Sequence, residues 1–377
     1  MSKVFLGDVA VEHKETCKGS KDGYPVVGLE HLVPEEITLT TWDEGSDNTF
    51  TKMFRKGDVL FGRRRAYLKK AAVAPFDGIC SGDITVIEAK PDRILPELLP
   101  FIIQNDALFD FAVGKSAGSL SPRVKWEHLK NYEFELPDMD KQKELAELLW
   151  AIDDTKKAYQ KLISATDELV KSRFMEQFAS YIGDETKCST IENVCTLFAD
   201  GDWIESKDQS DEGIRLIQTG NVGNGVYLDK GERARFIDEP TFDRLHCTEV
   251  LPNDILISRL PDPVGRACVI PKGLGKAITA VDCSIVRLKE MILPEFFVAY
   301  TLTSLYASQI GTSVTGSTRK RISRKNLGQV IFPVPSLDIQ QQFASFVRQI
   351  DKSKFELEQA LSELTATYKR IIAENLG

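Results

Sequence analysis

The chain repeats its own pattern about 198 residues downstream. Leu95-Pro96-Glu97 returns as Leu293-Pro294-Glu295, and Gly118-Ser119 as Gly316-Ser317. Pro137, Asp140 and Gln142 return as Pro335, Asp338 and Gln340, and Ile152-Asp153 returns as Ile350-Asp351. A period this long belongs to a duplicated domain, not to a solenoid unit. The duplication predicts two similar modules related by a pseudo-twofold. Two modules on one chain suit a target that itself has two halves.

With 377 residues, there is enough chain for two full cores. Each copy reads as short strands followed by helices. In the first, Tyr24–Leu29, Asp58–Phe61, Ala71–Ala74 and Ile84–Ile87 are strand-like. A helix opens on Pro96 and runs to about Val113, a glycine loop covers Gly114–Pro122, and a strand closes at Tyr132–Leu136. In the second, Ile214–Ile217, Asp254–Arg259 and Ala267–Pro271 repeat the strands, with Asp254–Arg259 matching Asp58–Arg63 at an offset of 196. A helix at Pro294–Ile310, a loop at Gly311–Lys320 and a strand at Val330–Val334 follow. The expected class is α+β.

Each module leads into a long helix. Leu145, Leu148, Ile152, Thr155, Tyr159, Leu162, Thr166 and Leu169 fall at alternating spacings of three and four. Phe343, Phe346, Ile350, Ser353, Leu357, Ala360, Leu364 and Thr367 sit at the same spacing 198 residues later, and Ile371 extends that row. This is a heptad seam. It predicts that the two helices pair, antiparallel because each leads away from its own module. At 1.5 Å per residue, residues 141–180 would span about 60 Å. The expected division is 1–138 and 184–336 for the globular modules, with helices over 139–183 and 337–377.

Composition excludes several classes. No run of 18 apolar residues exists, so no transmembrane helix is expected. The polar segment after Met1-Ser2-Lys3 does not read as a signal peptide. Seven scattered cysteines without a Cys-x-x-Cys pair read as reduced thiols of a cytoplasmic protein. Four dispersed histidines argue against zinc, and no metal is expected. Phosphate-loop, dinucleotide, nucleophile-elbow and Asn-Pro-Pro-aromatic motifs are all missing. Glu12-His13-Lys14 and Glu205-Ser206-Lys207 satisfy a Glu-x-Lys nuclease fragment, but no upstream metal-binding carboxylate accompanies them. No catalytic residues are expected.

A net charge of −8 argues against a blanket nucleic-acid binder, yet local basic faces stand out. Arg63, Arg64 and Arg65 end a strand, and Arg63 aligns with Arg259. Arginine forks there can hold phosphate or read guanine. The glycine-serine loops carry Lys115, Arg123 and Lys125 in one copy, and Arg319, Lys320, Arg321, Arg324 and Lys325 in the other. Small residues allow close approach to a phosphate backbone, and the cations supply countercharge. Asn221 and Asn224 could read adenine, or serve simply as turn residues.

The order module, long helix, module, long helix resembles the specificity subunit of Type I restriction-modification systems. Gly316-Ser317-Thr318 with Ile322-Ser323 and Leu327 carries the resemblance. So do Pro335–Gln340 entering the last helix and Arg215–Val222 near the start of the second copy. Single prolines at 137 and 335, and Lys141 and Ile339 before the glutamines, depart from the family's usual helix entry. The resemblance covers essentially the whole chain. It implies two target recognition domains that each read one half of a bipartite double-stranded DNA sequence. It also implies helices that set the spacing and dock two methyltransferase subunits, with restriction subunits joining the complex. It implies no cofactor in this chain, with S-adenosylmethionine, ATP and Mg2+ used by the partners for adenine methylation and DNA cleavage. The competing readings are a stand-alone nuclease or methyltransferase, and a coiled-coil scaffold without DNA binding.

Overall fold

The computed structural model describes residues 2–45, 48–316 and 320–377. It divides into two compact units. One comprises residues 1–161 and 358–377, the other residues 162–357, so both long helices contribute a part to each unit.

In the first unit the strands Ala10–Glu12, Ile84–Ala89, Val59–Gly62 and Ala71–Val73 form one antiparallel sheet in that order. A second sheet orders Asp43–Glu44, Pro25–Val27, Gly78–Cys80 and Lys52–Phe54. Period-2 alternation explains why Val59–Gly62 is apolar throughout. Val59 and Phe61 face the helical core with Leu98, Phe101, Ile102 and Phe109. Leu60 faces a second core with Val27, Phe54 and Cys80. The strand is therefore covered on both sides.

The second unit repeats the plan. Cys195–Asp200, Cys283–Leu288, Ile255–Ser258 and Ala267–Val269 form the matching sheet, and Arg235–Ile237, Ile214–Ile217 and Ala277–Thr279 the other. Ile255 and Ile257 pack with Phe296, Phe297 and Tyr300, while Leu256 packs with Ile217, Cys268 and Cys283. The class expected from the sequence, two similar α+β modules each followed by a long helix, is the one observed.

The repeated Leu, Pro and Gln residues build one device twice. Buried Gln142 accepts the Leu95 N–H at 2.8 Å and donates to the Pro137 carbonyl at 2.9 Å. Buried Gln340 accepts from Leu293 at 2.9 Å and donates to Pro335 at 2.9 Å. Each latch fixes the start of a long helix against its own module. Buried amide groups need such partners, which accounts for their recurrence at matched positions.

The long helices span Met139–Phe178 and Leu337–Leu376. In the first unit Leu145, Leu149 and Ile152 share a core with Tyr368 and Ile372. In the second, Phe174 and Phe178 meet Phe343 edge to face, and Asp167 pairs with Lys354 at 2.7 Å. Within that unit the helix segments run antiparallel, since 167 meets 354 and 174 meets 343.

The seam itself needs correction. Leu148, Leu162 and Leu169 are 46–51% exposed, and Thr155 and Ser353 are exposed too. The buried row runs through Leu145, Leu149, Ile152 and, further on, Val170 and Phe174. Leu145 and Ile152 are expected seam positions, whereas Leu149 and Val170 lie one residue past the expected Leu148 and Leu169. Leu148-Leu149 and Leu169-Val170 are adjacent apolar pairs. Hydrophobicity does not choose between the members of such a pair. Packing against Phe101, Tyr368 and Phe343 does. On the second helix Phe343 is buried, while Phe346, Ile350, Leu357, Leu364 and Ile371 are half-buried, as is Tyr159 on the first.

Among the described residues no helix is long and apolar enough to cross a membrane. The cysteines are unpaired, and burial pushes the Cys80, Cys195 and Cys268 thiols up to about 12, so these three are not ready nucleophiles.

Candidate nucleic-acid interface

The same polar frame surrounds the strand end in both modules. Arg63 donates its backbone N–H to the Asp83 carbonyl at 3.0 Å, and its own carbonyl accepts from Val124 at 3.0 Å. Arg259 donates likewise to Asp282 at 2.9 Å, and its carbonyl accepts from Ile322 at 3.2 Å. The glycine loop is then cinched by a pair of backbone bonds. These run between Ala117 and Arg123 at 3.0 Å in one copy, and between Thr315 and Arg321 at 2.9 Å in the other. Gly118 at φ +113° and Gly316 at φ +96° make the reversal possible, since L side chains avoid this region.

The frame orients one arginine per module. Arg123 Nε donates to Asp83 Oδ1 at 2.7 Å, and Arg321 Nη2 stands 3.2 Å from Asp282 Oδ1. Both side chains are partly exposed, so each presents a charged group that is already ordered. Arg64 also reaches Asp83, at 3.4 Å, and donates to Ser121 Oγ at 2.6 Å. The Arg123 guanidinium, ahead of burial, sets the balance at Asp83 and holds its carboxyl below the usual range. Pre-ordering matters because a flexible arginine loses side-chain entropy when it binds.

Around the frame the modules diverge. In the first, Arg63, Lys125, Trp126 and His128 line an open cleft of about 510 Å3 with Glu12 and Glu127. The buried Arg63 Nε has no hydrogen-bond partner among the described residues, a feature that it shares with Arg259 Nε of the second module. Arg65 is held at φ +55° with its N–H on Pro122. Lys115 lies over the Phe111 ring at 5.7 Å.

In the second, the corresponding place is filled. Arg324 lies over the Phe198 ring at 5.6 Å, donates to the Phe198 carbonyl at 3.1 Å and stands 3.5 Å from Asp200. Lys320 and Lys325 are exposed. Arg319 lies outside the described residues.

Two candidates point inward. Arg259 is 5% exposed, bonded to the Val281 carbonyl and 3.3 Å from Asp200, and burial lowers its pKa. Its role in this structure is to tie strand to loop, because two acceptors surround it and solvent does not. Asn221 is also buried. It accepts the Gln218 N–H at 3.0 Å and donates to the Leu228 carbonyl at 2.9 Å, so its amide is spent within its own turn. This is the turn reading of that residue, not the adenine reading. Asn224 remains exposed.

Sequence reasoning passed over a basic groove of about 270 Å3 in the second module, lined by Arg215, Gln218, Thr219, Lys230, Arg233 and Arg235, among others. Register brings it together, since Arg215 and Leu216 pair with Phe236 and Arg235 across adjacent strands. Alternation along Ile214–Ile217 was the available signal, because it turns Arg215 away from the core. The matching strand pair in the first module carries Asp43 and Glu44.

A family model, the Type I restriction modification DNA specificity domain, matches residues 1–165 and again 184–365. The chain is 22% identical over 385 residues to the putative type I restriction enzyme MjaX specificity subunit of Methanocaldococcus jannaschii, covering 93% of this chain and 87% of that one. It is 26% identical over 174 residues to the type I restriction enzyme EcoDI specificity subunit of Escherichia coli, covering 45% of this chain and 35% of that one. Among solved structures, a chain from work on complex assembly and conformational transition of the type I R-M system superposes with a TM-score of 0.62 at 19% identity, covering 99% of this chain and 97% of that one. The type I restriction-modification S subunit from M. genitalium gives 0.52 at 14%, covering 98% and 94%.

Proposed function

The chain belongs to the type I restriction-modification DNA specificity family, and on that premise we propose that its two modules each read one half of a bipartite double-stranded DNA target. One observation carries the reading. Both modules hold a partly exposed arginine, Arg123 or Arg321, on an aspartate at the mouth of a glycine loop. A pre-oriented guanidinium suits either a phosphate or a guanine edge. Arg63, Arg64, Arg65, Lys115 and Lys125 add positive charge in the first module, as do Arg319, Lys320, Arg324 and Lys325 in the second. The basic groove at Arg215 and Arg233 extends the second footprint. Electrostatic attraction of this kind gives affinity, and base contacts give specificity.

The chain is the reader and leaves chemistry to its partners. Two methyltransferase subunits dock on the long helices, where exposed Leu148, Leu162 and Leu169 offer apolar contacts. The helices set the number of unread base pairs between the half-sites, as dimer spacing does in other readers. S-adenosylmethionine serves the methyltransferases, and ATP with Mg2+ serves the restriction subunits. The complex methylates adenine at N6 and cuts unmodified DNA in the cytoplasm.

The test is single-molecule sequencing of adenine methylation in a host carrying this chain with its methyltransferase. A split motif that disappears when the chain is deleted is the expected result. A methylome with such a motif that ignores the deletion removes the specificity role and favours the scaffold.

A further inference from the structure

The duplicated frame contains a buried aspartate whose counter-cation differs between the copies. Asp58 caps the turn before Val59–Gly62, accepting the Arg55 N–H at 2.8 Å, and Asp254 caps the matching turn, accepting from Leu251 at 2.8 Å. Both are nearly inaccessible, at 4% and 2%. A buried carboxylate needs a positive partner. In the second module Arg287 provides it bidentately, Nε to Oδ1 at 2.9 Å and Nη2 to Oδ2 at 2.8 Å.

Strand register fixes what stands there in the first module. Val59 pairs with Ile87 as Ile255 pairs with Val286, so Glu88 occupies the position of Arg287. A second carboxylate has replaced the guanidinium. His13, just past the end of the adjacent strand Ala10–Glu12, enters from the place that Ala199 holds in the other copy. Its Nδ1 lies 3.5 Å from Asp58 Oδ2 and 3.4 Å from Glu88 Oε2. Its Nε2 lies 3.3 Å from Glu15 Oε2, and Arg55 holds Glu15 at 3.0 Å.

We propose that this cluster binds a divalent metal ion of the zinc class, with His13 Nδ1, Asp58 Oδ2 and Glu88 Oε2 as donors and a fourth position left for water. Three arguments support it. The first is charge. Glu15 is neutralised by Arg55, which leaves two carboxylates facing one imidazole. A proton on His13 would balance only one of them, whereas a divalent cation balances both and restores the neutrality that Arg287 gives the other copy. The second is shape. Bonds of about 2.0–2.1 Å in a tetrahedron separate the donors by roughly 3.3–3.4 Å. The observed 3.4 and 3.5 Å separations are close to that edge length. The third is the outer shell. A metal-bound histidine commonly gives its other N–H to a carboxylate, which fixes the ring and raises its basicity. Glu15 is placed for this. A mixed nitrogen and oxygen donor set suits zinc, and manganese less tightly.

The inference is independent of DNA reading. Its test titrates Zn2+ into the purified full-length chain against a chromophoric chelator, with thermal unfolding as a second readout. The wild type should bind one equivalent that the Glu88→Arg variant binds at least about 100-fold more weakly. Zinc should raise the unfolding temperature of the wild type only. Glu88→Arg installs the residue of the second module at a half-exposed position. Glu88→Gln repeats the test without adding charge if the arginine variant unfolds. His31→Gln controls for the more exposed group of Glu30, His31 and Asp43 and should leave the equivalent in place. Absence of a saturable equivalent in the wild type overturns the proposal, as does unchanged binding in both Glu88 variants. Loss of the equivalent in His31→Gln alone assigns it elsewhere.

Discussion

The two modules share their skeleton and differ on the surfaces that could meet a ligand. At the strand end, Arg63 lines an open cleft with Lys125 and Trp126, whereas Arg259 is buried and Arg324 with Phe198 fills the equivalent space. Across the second sheet the contrast reverses. The second module presents Arg215, Arg233 and Arg235, while the first presents Asp43 and Glu44. Yet the aspartate-held arginine, the cinched loop and the glutamine latch recur within tenths of an ångström. Duplication has kept what positions the chain and varied what could touch DNA. The expected consequence, under the proposed function, is two different half-sites read through one shared geometry.

The largest expected effect tests that shared geometry. Arg123→Glu and Arg321→Glu should each weaken specific DNA binding on the order of 100-fold, because each replaces a pre-ordered cation with a like charge facing phosphate. Each variant should relax a different half of the methylation motif. If both relax the same half, or if binding by the assembled methyltransferase complex is unchanged, the equivalence of the two arginines is lost. Next in size are the latches. Gln142→Ala and Gln340→Ala each strand a half-buried backbone N–H, of Leu95 or Leu293, at a cost of about 1–3 kcal/mol. Chemical denaturation should show two similar losses. A loss confined to one variant would show that only one helix entry depends on its latch.

These comparisons also mark what the sequence could reveal. The repeated Leu95, Pro137 and Gln142 were visible as a pattern, and their matched hydrogen bonds explain it. The strands at Asp58–Phe61 and Ile255–Ser258 were legible because a doubly covered strand is apolar throughout. The seam was half legible, since Leu148-Leu149 offers two equal choices to a periodicity argument and the globular module decides. The burial of Arg259, and the choice between the two readings of Asn221, were not legible because burial of a polar side chain depends on acceptors far along the chain, such as Asp200 and Leu228. The His13 cluster was invisible for the same reason, its donors arriving from three separate segments of the chain.

A smaller effect separates the basic groove from the frame. Arg233→Ala should reduce affinity only a few-fold and lower the slope of log K against log salt by about one, uniformly across sequences. A change in the methylation motif instead would place Arg233 on a base.

The smallest effect is electrostatic and compares two aspartates of the first module. Arg123 holds the Asp83 carboxyl below its ordinary value, whereas burial raises that of Asp58. A depressed carboxyl contributes stability that is present above its unfolded value near 3.8 and is lost as pH falls through the lower folded value. A raised carboxyl works the other way. Its charged form is disfavoured in the fold, so the cost in stability grows as pH rises from the unfolded value near 3.8 through the folded value, and it fades on acidification. Carboxyl 13C shifts followed by NMR should therefore show Asp83 titrating below 3.8 and Asp58 above it. Arg123→Ala should move Asp83 up and leave Asp58 in place. Zinc should do the converse, driving Asp58 down without moving Asp83, because a bound cation favours the carboxylate it touches. If zinc shifts both or neither, the metal is not at His13. If Arg123→Ala leaves Asp83 where it was, the arginine is not the group that the frame holds.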